Sequence, residues 1–269
     1  MDEDNNIVLE STLYRTLDAW IETQFPYSEL DSIAVEKNGF GRYTIRAYVL
    51  DLKQPVTIGS SPNVIFTMRT GTLFMDQNFS NINHFRMDFE ADETEEKIPE
   101  SRKRIESFPD SAWIFAAVSL KEPADIKGLM EMENDDLSVD YAQVYAGDQE
   151  LTCGINLNHV FANDPEGRRD QLSSDELKKL FLARLELLQS EDNIFTHKLG
   201  FSSVRSSGPI IYSPNNAAEM IRGFSETAEK TEGFRTRHYY VSGTKEEILK
   251  LMDMVEITNI RIVDARLYK

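Results

Sequence analysis

Leu13, Tyr14, Leu17, Trp20 and Ile21 recur at helical spacing and predict an amphipathic helix over residues 9–23, which Pro26 ends. The apolar period then shortens to two. SIAVEKN, GRYTIRAYVLDL, PVTIGS and NVIFTMRT read as strands, with turn signals at Asn38-Gly39, Gly41 and Ser60-Ser61-Pro62. A helix followed by a small antiparallel sheet is expected for this part of the chain.

Residues 88–100, DFEADETEEKIPE, are highly charged and poor in apolar side chains, as a linker is. They divide the chain into 1–90 and 91–269; an acidic loop inside one domain is the alternative. Beyond them, Ala112 to Leu120 is nearly all apolar, the pattern of a strand buried on both faces. Pro123 suits the first turn of a helix that turns Ile126, Leu129 and Met130 inward, and Leu137 to Ala146 returns to strand character.

Two longer helices follow. Ser173 and Glu176 form a capping box ahead of Leu177, Leu180, Phe181, Leu185 and Leu188. Asn216 and Glu219 precede Ala217, Met220, Ile221, Phe224 and Ala228 in the same way. Both stripes read as core. The end of the chain repeats the earlier unit: a strand at His238 to Ser242, a helix from Thr244 to Met252, and a strand from Ile257 to Tyr268 whose alternation slips around Ile262-Val263, as at a bulge. The expected class is therefore α+β. The N-terminal helix and small sheet precede an α/β sandwich of two β-α-β units in a split, ferredoxin-like arrangement, with the two longer helices inserted or added as a layer.

At 269 residues, 41% hydrophobic and 28% charged, the chain can bury a large core. Its formal charge of −17 argues against nucleic acid as a partner, because no contiguous basic run offsets it: Arg102-Lys103-Arg104 lies between EADETEE and Glu106. Cys153 is the only cysteine, so no intramolecular disulfide forms, and no apolar run reaches the ~20 residues of a membrane span. MDEDNN is acidic where a signal peptide is basic.

Gly243-Thr244-Lys245 holds the ingredients of a phosphate cradle. The spacing of a P-loop, with its upstream glycine, is missing. Thr244 and Glu247 instead match a T-x-x-E capping box, and Glu246 and Glu247 put two carboxylates where an anion would sit. Gly243 is expected to ease the turn out of the strand. His84, His159, His197 and His238 are mutually distant and far from Cys153, so no spaced metal motif exists. NDPEGRRDQLSSDE, residues 163–176, has the composition of a calcium loop with its glycine misplaced, and Asn134-Asp135-Asp136 is as loose a match. Cys153 reads as a small buried hydrophobe, Gly39-Phe40-Gly41 as a hairpin turn, and Trp20 and Trp113 as core. No catalytic, cofactor-binding or metal-ligating residue is assigned.

GFRTRHYYVSGTKEEILKLMDMVEITNIRIVDARLYK resembles the end of the sigma factor regulator C-terminal domain family, which closes with a strand, a G-x-T-K-E-x-x-x-L-like turn and helix, and a last strand. SAWIFAAVSLKEPADIKGLM is similar to that domain's earlier strand-helix segment, and LDSIAVEKNGFGRYTIRAYVLDL to the membrane-proximal region of the same proteins. The resemblance implies the extracellular part of a single-pass, membrane-bound anti-sigma factor of Gram-positive bacteria. That part is non-catalytic and needs no cofactor. The cytoplasmic part that would hold the sigma factor, and the span, are absent from these residues. The outer part would sense an unknown extracellular signal or protein, with helix 9–23 as either the mechanical link to the membrane or a plain packing element. The high negative charge would discourage adhesion to anionic wall polymers and lipids. A solute-binding lipoprotein-like domain, and a cytosolic enzyme with carboxylates drawn from distant segments, are the competing readings.

Overall fold

A computed structural model describes residues 12–53, 64–69, 72–75, 98–147, 151–157, 169–189, 202–205, 208–211, 217–254 and 256–267. Helix α1 (Thr12–Gln24) leads into strands β1 (Ser28–Lys37), β2 (Arg42–Asp51), β3 (Val64–Arg69) and β4 (Thr72–Met75), which form an antiparallel sheet in chain order. The sequence-predicted strand PVTIGS lies outside the described residues. β1 starts four residues earlier than the turn signals suggested, directly after Tyr27.

A second sheet contains β5 (Ala112–Asp125), β6 (Leu137–Val144), β7 (Gly154–Asn156), β10 (Arg235–Thr244) and β11 (Ile257–Leu267), in the order β11-β5-β10-β6-β7. Every adjacent pair is antiparallel. β5 is thus parallel to β6 with β10 between them, and β10 is parallel to β11 with β5 between them. Helices α3 (Ile126–Met130) and α6 (Lys245–Met254) make the two crossovers. This is the split β-α-β arrangement the sequence predicted, extended at one edge by β7. The predicted bulge is present: the β11–β5 register shifts between Ile262 and Asp264.

α4 (Ser174–Gln189), the hairpin β8 (Ser202–Arg205) and β9 (Gly208–Ile211), and α5 (Ala217–Lys230) are inserted between β7 and β10. Phe181 of α4 meets Phe224 of α5 edge-on at 6.2 Å, and its ring is tilted 45° to that of Phe234 at 5.8 Å. Ser173 caps α4 as predicted, its backbone N–H and hydroxyl both donating to the Glu176 carboxylate at 2.8 and 2.7 Å. That carboxyl is held below its ordinary range by these bonds. Lys178 reaches across to the C-terminal end of α5, donating to the carbonyls of Glu229 and Thr231.

Strands β4, β7, β8 and β9 and one helix were not foreseen. Helix α2 (Ile98–Glu106) occupies the end of the stretch that read as a linker. Ile105 is its sole buried side chain, so it has almost no apolar stripe for a pattern to reveal. It packs against β11 and α6, where Arg102 pairs with Asp253.

The two faces of the second sheet differ. Ile114, Ala116, Val118, Tyr239, Val241, Ala142 and Val144 join the main buried cluster with side chains from α3, α4, α5 and α6. Phe115, Ala117, Tyr141 and Tyr240 form a smaller cluster on the other face, closed by Tyr27. Tyr27 meets Phe115 and Tyr240 edge-on at 5.5 and 5.4 Å, and its hydroxyl donates to the Val241 carbonyl at 3.1 Å. Its φ is 58°, unusual for a residue with a side chain. That strain is held by ring packing on one side and by the bond from Leu52 N–H to the Tyr27 carbonyl, 2.7 Å, on the other.

α1 is also part of this packing. Leu17, Ala19, Trp20 and Ile21 are buried in the main cluster, and Trp20 meets Phe25 edge-on at 4.9 Å. Thus residues on both sides of the boundary expected near residue 90 share one core; residues 88–97 themselves lie outside the described residues.

Candidate functional site

Gly243, Thr244 and Lys245 sit where β10 passes into α6, at a cleft of about 390 Å³ lined by Asp110, Ser111, Ala112, Trp113, Asp136 and Thr244. Three segments converge here: the loop after α2, the turn before β6, and the β10–α6 junction. Of the triplet only Thr244 lines the cleft, and the geometry of the β10–α6 junction decides the role of all three.

Each member of the triplet has a structural partner. A β-carbon on Gly243 would lie 2.6 Å from the Asp136 carbonyl oxygen and 3.1 Å from Leu137 Cδ1. The glycine is therefore required for close backbone approach, and not for the loosened turn expected from sequence. Thr244 N–H donates to the Asp136 carbonyl at 2.9 Å, and the Thr244 hydroxyl accepts from Glu247 N–H at 3.4 Å. Lys245 Nζ donates to Asp110 Oδ1 at 2.7 Å and to the Phe108 and Glu106 carbonyls at 2.9 and 3.4 Å. It closes the C-terminal end of α2 instead of reaching into the cleft as a free cation.

The predicted capping box is only half made. Thr244 caps α6, but Glu247 does not return to the Thr244 N–H, because Asp136 already occupies that donor. The Glu247 carboxylate instead accepts from Lys250 at 2.7 Å and from Asn134 Nδ2 at 3.3 Å, which hold its pKa below the ordinary range. Asn134-Asp135-Asp136 is a turn tied to itself, Asp136 N–H donating to Asn134 Oδ1 at 2.8 Å. These contacts orient its groups toward the chain and α6.

The electrostatics oppose an anion. Asp110, Asp136, Glu246 and Glu247 surround the junction, against Lys245 and Lys250, and both lysines are in ion pairs with these acids. Lys245 holds the Asp110 carboxyl low, through its hydrogen bond first and its charge second. Asp110 is ionised at neutral pH, the opposite of the protonated carboxyl a general acid requires. Lys245→Ala is expected to lower stability by about 1 kcal/mol, read by denaturant melting, since it frees the Glu106 and Phe108 carbonyls and an exposed aspartate.

The remaining sequence candidates are separate from this cleft. Cys153 is buried, accepts from Gln24 Nε2 at 3.3 Å, and has its thiol pushed up to about 12 by burial. It is a packing residue of the α1–β7 contact. His238 lies on the small-cluster face with Nδ1 3.0 Å from the Ser119 hydroxyl; burial, then Arg237, pushes it down to about 4. His84, His159, His197 and residues 163–168 of the calcium-loop candidate lie outside the described residues. Among the described residues, no group of three His, Cys, Asp or Glu side chains is placed to hold a metal ion, and no helix is long and apolar enough to cross a membrane.

His238 yields a pH prediction. Its folded pKa is below its unfolded value of about 6.5, so the unfolded chain binds the proton first as pH falls. Its contribution is complete above pH 6.5 and is lost progressively toward pH 4, a total of about 3 kcal/mol. His238→Gln should flatten the stability-against-pH curve in that window, measured by urea melts.

Sequence reasoning missed a different constellation. Glu22 of α1 is buried, with Oε1 2.7 Å from Arg169 Nη2 and Oε2 2.9 Å from Arg184 Nε; Arg184 Nη2 is 3.7 Å from Asp18 Oδ2. Arg169 is 3% exposed, which leaves it no aqueous alternative to Glu22. Glu22 falls on the inward side of the α1 stripe beside Ile21, and an acid at that position was the available signal. Its arginine partners are more than a hundred residues away, with no spacing to announce them. The cluster fastens α1 to α4 and to the single turn Arg169–Gln171.

No protein-family model, curated protein or solved structure matches the chain.

Proposed function

We propose that this chain is the extracellular sensory or interaction region of a membrane-bound anti-sigma regulator, and that it acts without catalysis. The observation that supports the mechanical part of the reading is the anchorage of α1. Its buried face and the Glu22–Arg169–Arg184 cluster make it a stem fixed in the body. A shift in the α4–α5 layer on binding a signal or partner would move the stem as a unit, and with it the chain that precedes residue 12. A flexible lead-in would dissipate such a shift. The resemblance of residues 233–269 to the end of a sigma factor regulator domain supplies the class, and the β10–α6 joint supports a structural role for that stretch. The sigma factor would be held by a cytoplasmic part outside these residues.

Two observations test the reading. The coding sequence preceding Met1 should encode a span of ~20 apolar residues after a short cytoplasmic segment. In intact cells, external protease should remove epitopes placed in residues 12–267. A gene with no such span, or an epitope protected until the membrane is breached, would remove this function.

A further inference from the structure

The chain's negative charge is unevenly distributed. Between residues 37 and 75, Lys37, Arg42, Arg46, Lys53 and Arg69 stand against Asp51 alone, a net +4; the other residues carry −21 of the total −17. The sheet register gathers much of this excess at one end. β1 and β2 are joined by a tight turn in which Asn38 N–H donates to the Arg42 carbonyl at 2.8 Å and Arg42 N–H to the Gly39 carbonyl at 2.9 Å. Gly39 and Gly41 have φ of 92° and 62°, conformations that favour glycine. Between them Phe40 is fully exposed.

Arg42 lies opposite Arg69 across the β2–β3 ladder, while Lys37 is paired with Tyr43 and Tyr43 with Met68. Among the described residues, Lys37, Arg42 and Arg69 enter no ion pair, whereas Arg46 is held by Glu36. Like charges directly opposed on a sheet repel, and here no acid is interposed. An apolar ring projecting beyond a ring of unmatched cations is the arrangement that engages an anionic bilayer: the ring enters the acyl boundary and the cations meet headgroup phosphates.

We propose that this end of the four-stranded sheet is a docking tip for an anionic phospholipid surface. At physiological ionic strength charges act over about 8 Å, so the tip's own cations govern its approach to a bilayer. The tip thus reverses locally the repulsion from anionic lipids that the net charge implies. This inference is independent of the proposed regulatory function, because it requires neither a membrane span nor a sigma factor.

The test is co-sedimentation of the full chain with vesicles of phosphatidylglycerol and phosphatidylcholine, against vesicles of phosphatidylcholine alone. The chain should sediment with the anionic vesicles and be released by salt. Phe40→Ala should weaken binding about tenfold. R42E with R69E should weaken it about thirtyfold or more. All three positions are exposed, and unchanged melting temperatures would verify folding. Phe40→Trp should show a blue-shifted emission component only with anionic vesicles. Equal binding to both vesicle types, no binding to the anionic ones, or binding that survives both sets of substitutions overturns the proposal.

Discussion

Glu22→Ala is expected to destabilise the protein by about 3–5 kcal/mol, because it strands Arg169 without a counter-charge in a site closed to water. Conservative removal of charge should not rescue it: Glu22→Gln keeps the shape but leaves both arginines under-neutralised. Replacing the pair together, Glu22→Leu with Arg169→Met, should recover much of the loss, since two apolar groups leave no orphaned charge. Urea melts of the two single variants and the double variant measure the coupling directly. Additive losses would mean that α1 is held by its apolar stripe alone, without help from the ion cluster. A coupling of several kcal/mol would establish the cluster as the fastening of stem to body.

The second large effect belongs to Gly243. Gly243→Ala places a methyl group 2.6 Å from a backbone carbonyl, and backbone cannot rotate aside as a long side chain can. β10 must then separate from the turn at Asp136, breaking the Thr244 N–H bond to the Asp136 carbonyl and loosening the cap on α6. A loss of about 2–4 kcal/mol is expected. Thr244→Ala, which removes only the cap, should cost about 1 kcal/mol. A phosphate loop would give the reverse order, with small effects on stability and a large one on nucleotide affinity. Measuring both variants by melting and by nucleotide titration therefore separates the two roles.

Much of the fold was legible because burial leaves a periodic trace. β5 read as an unbroken apolar run since both its faces are covered, one by the helices and the other by the Tyr27 cluster. α4 and α5 announced themselves through wide stripes and their N-terminal signals. α2 left no such trace, having one buried side chain. The β11 bulge was visible because its alternation slips by a residue, while the early start of β1 was hidden behind Tyr27, whose positive φ no local pattern encodes.

The candidate site was legible in identity and only partly in cause. The capping role of Thr244 follows from sequence. The fate of Lys245, the reason for Gly243 and the missing return arm of the capping box depend on Asp110 and Asp136, which topology brings in from other segments. The same limit applied to charge. A search for contiguous basic runs passes over the β1–β2 tip, because Arg69 joins Arg42 through the register of a ladder and is 27 positions away in the chain. The acid-poor composition of residues 37–75 was the signal that a wider window could have caught.

The regulatory reading depends on α1 moving with the body. Removing residues 1–24 tests this most directly. The truncated chain should lose its cooperative unfolding transition and the near-ultraviolet signal of its packed aromatic residues, because the cut exposes Phe25, the α1–β7 contact and the two arginines that Glu22 neutralises. A truncated chain that melts cooperatively at the temperature of the intact protein would contradict the account, for α1 would then be an attachment that the body does not need.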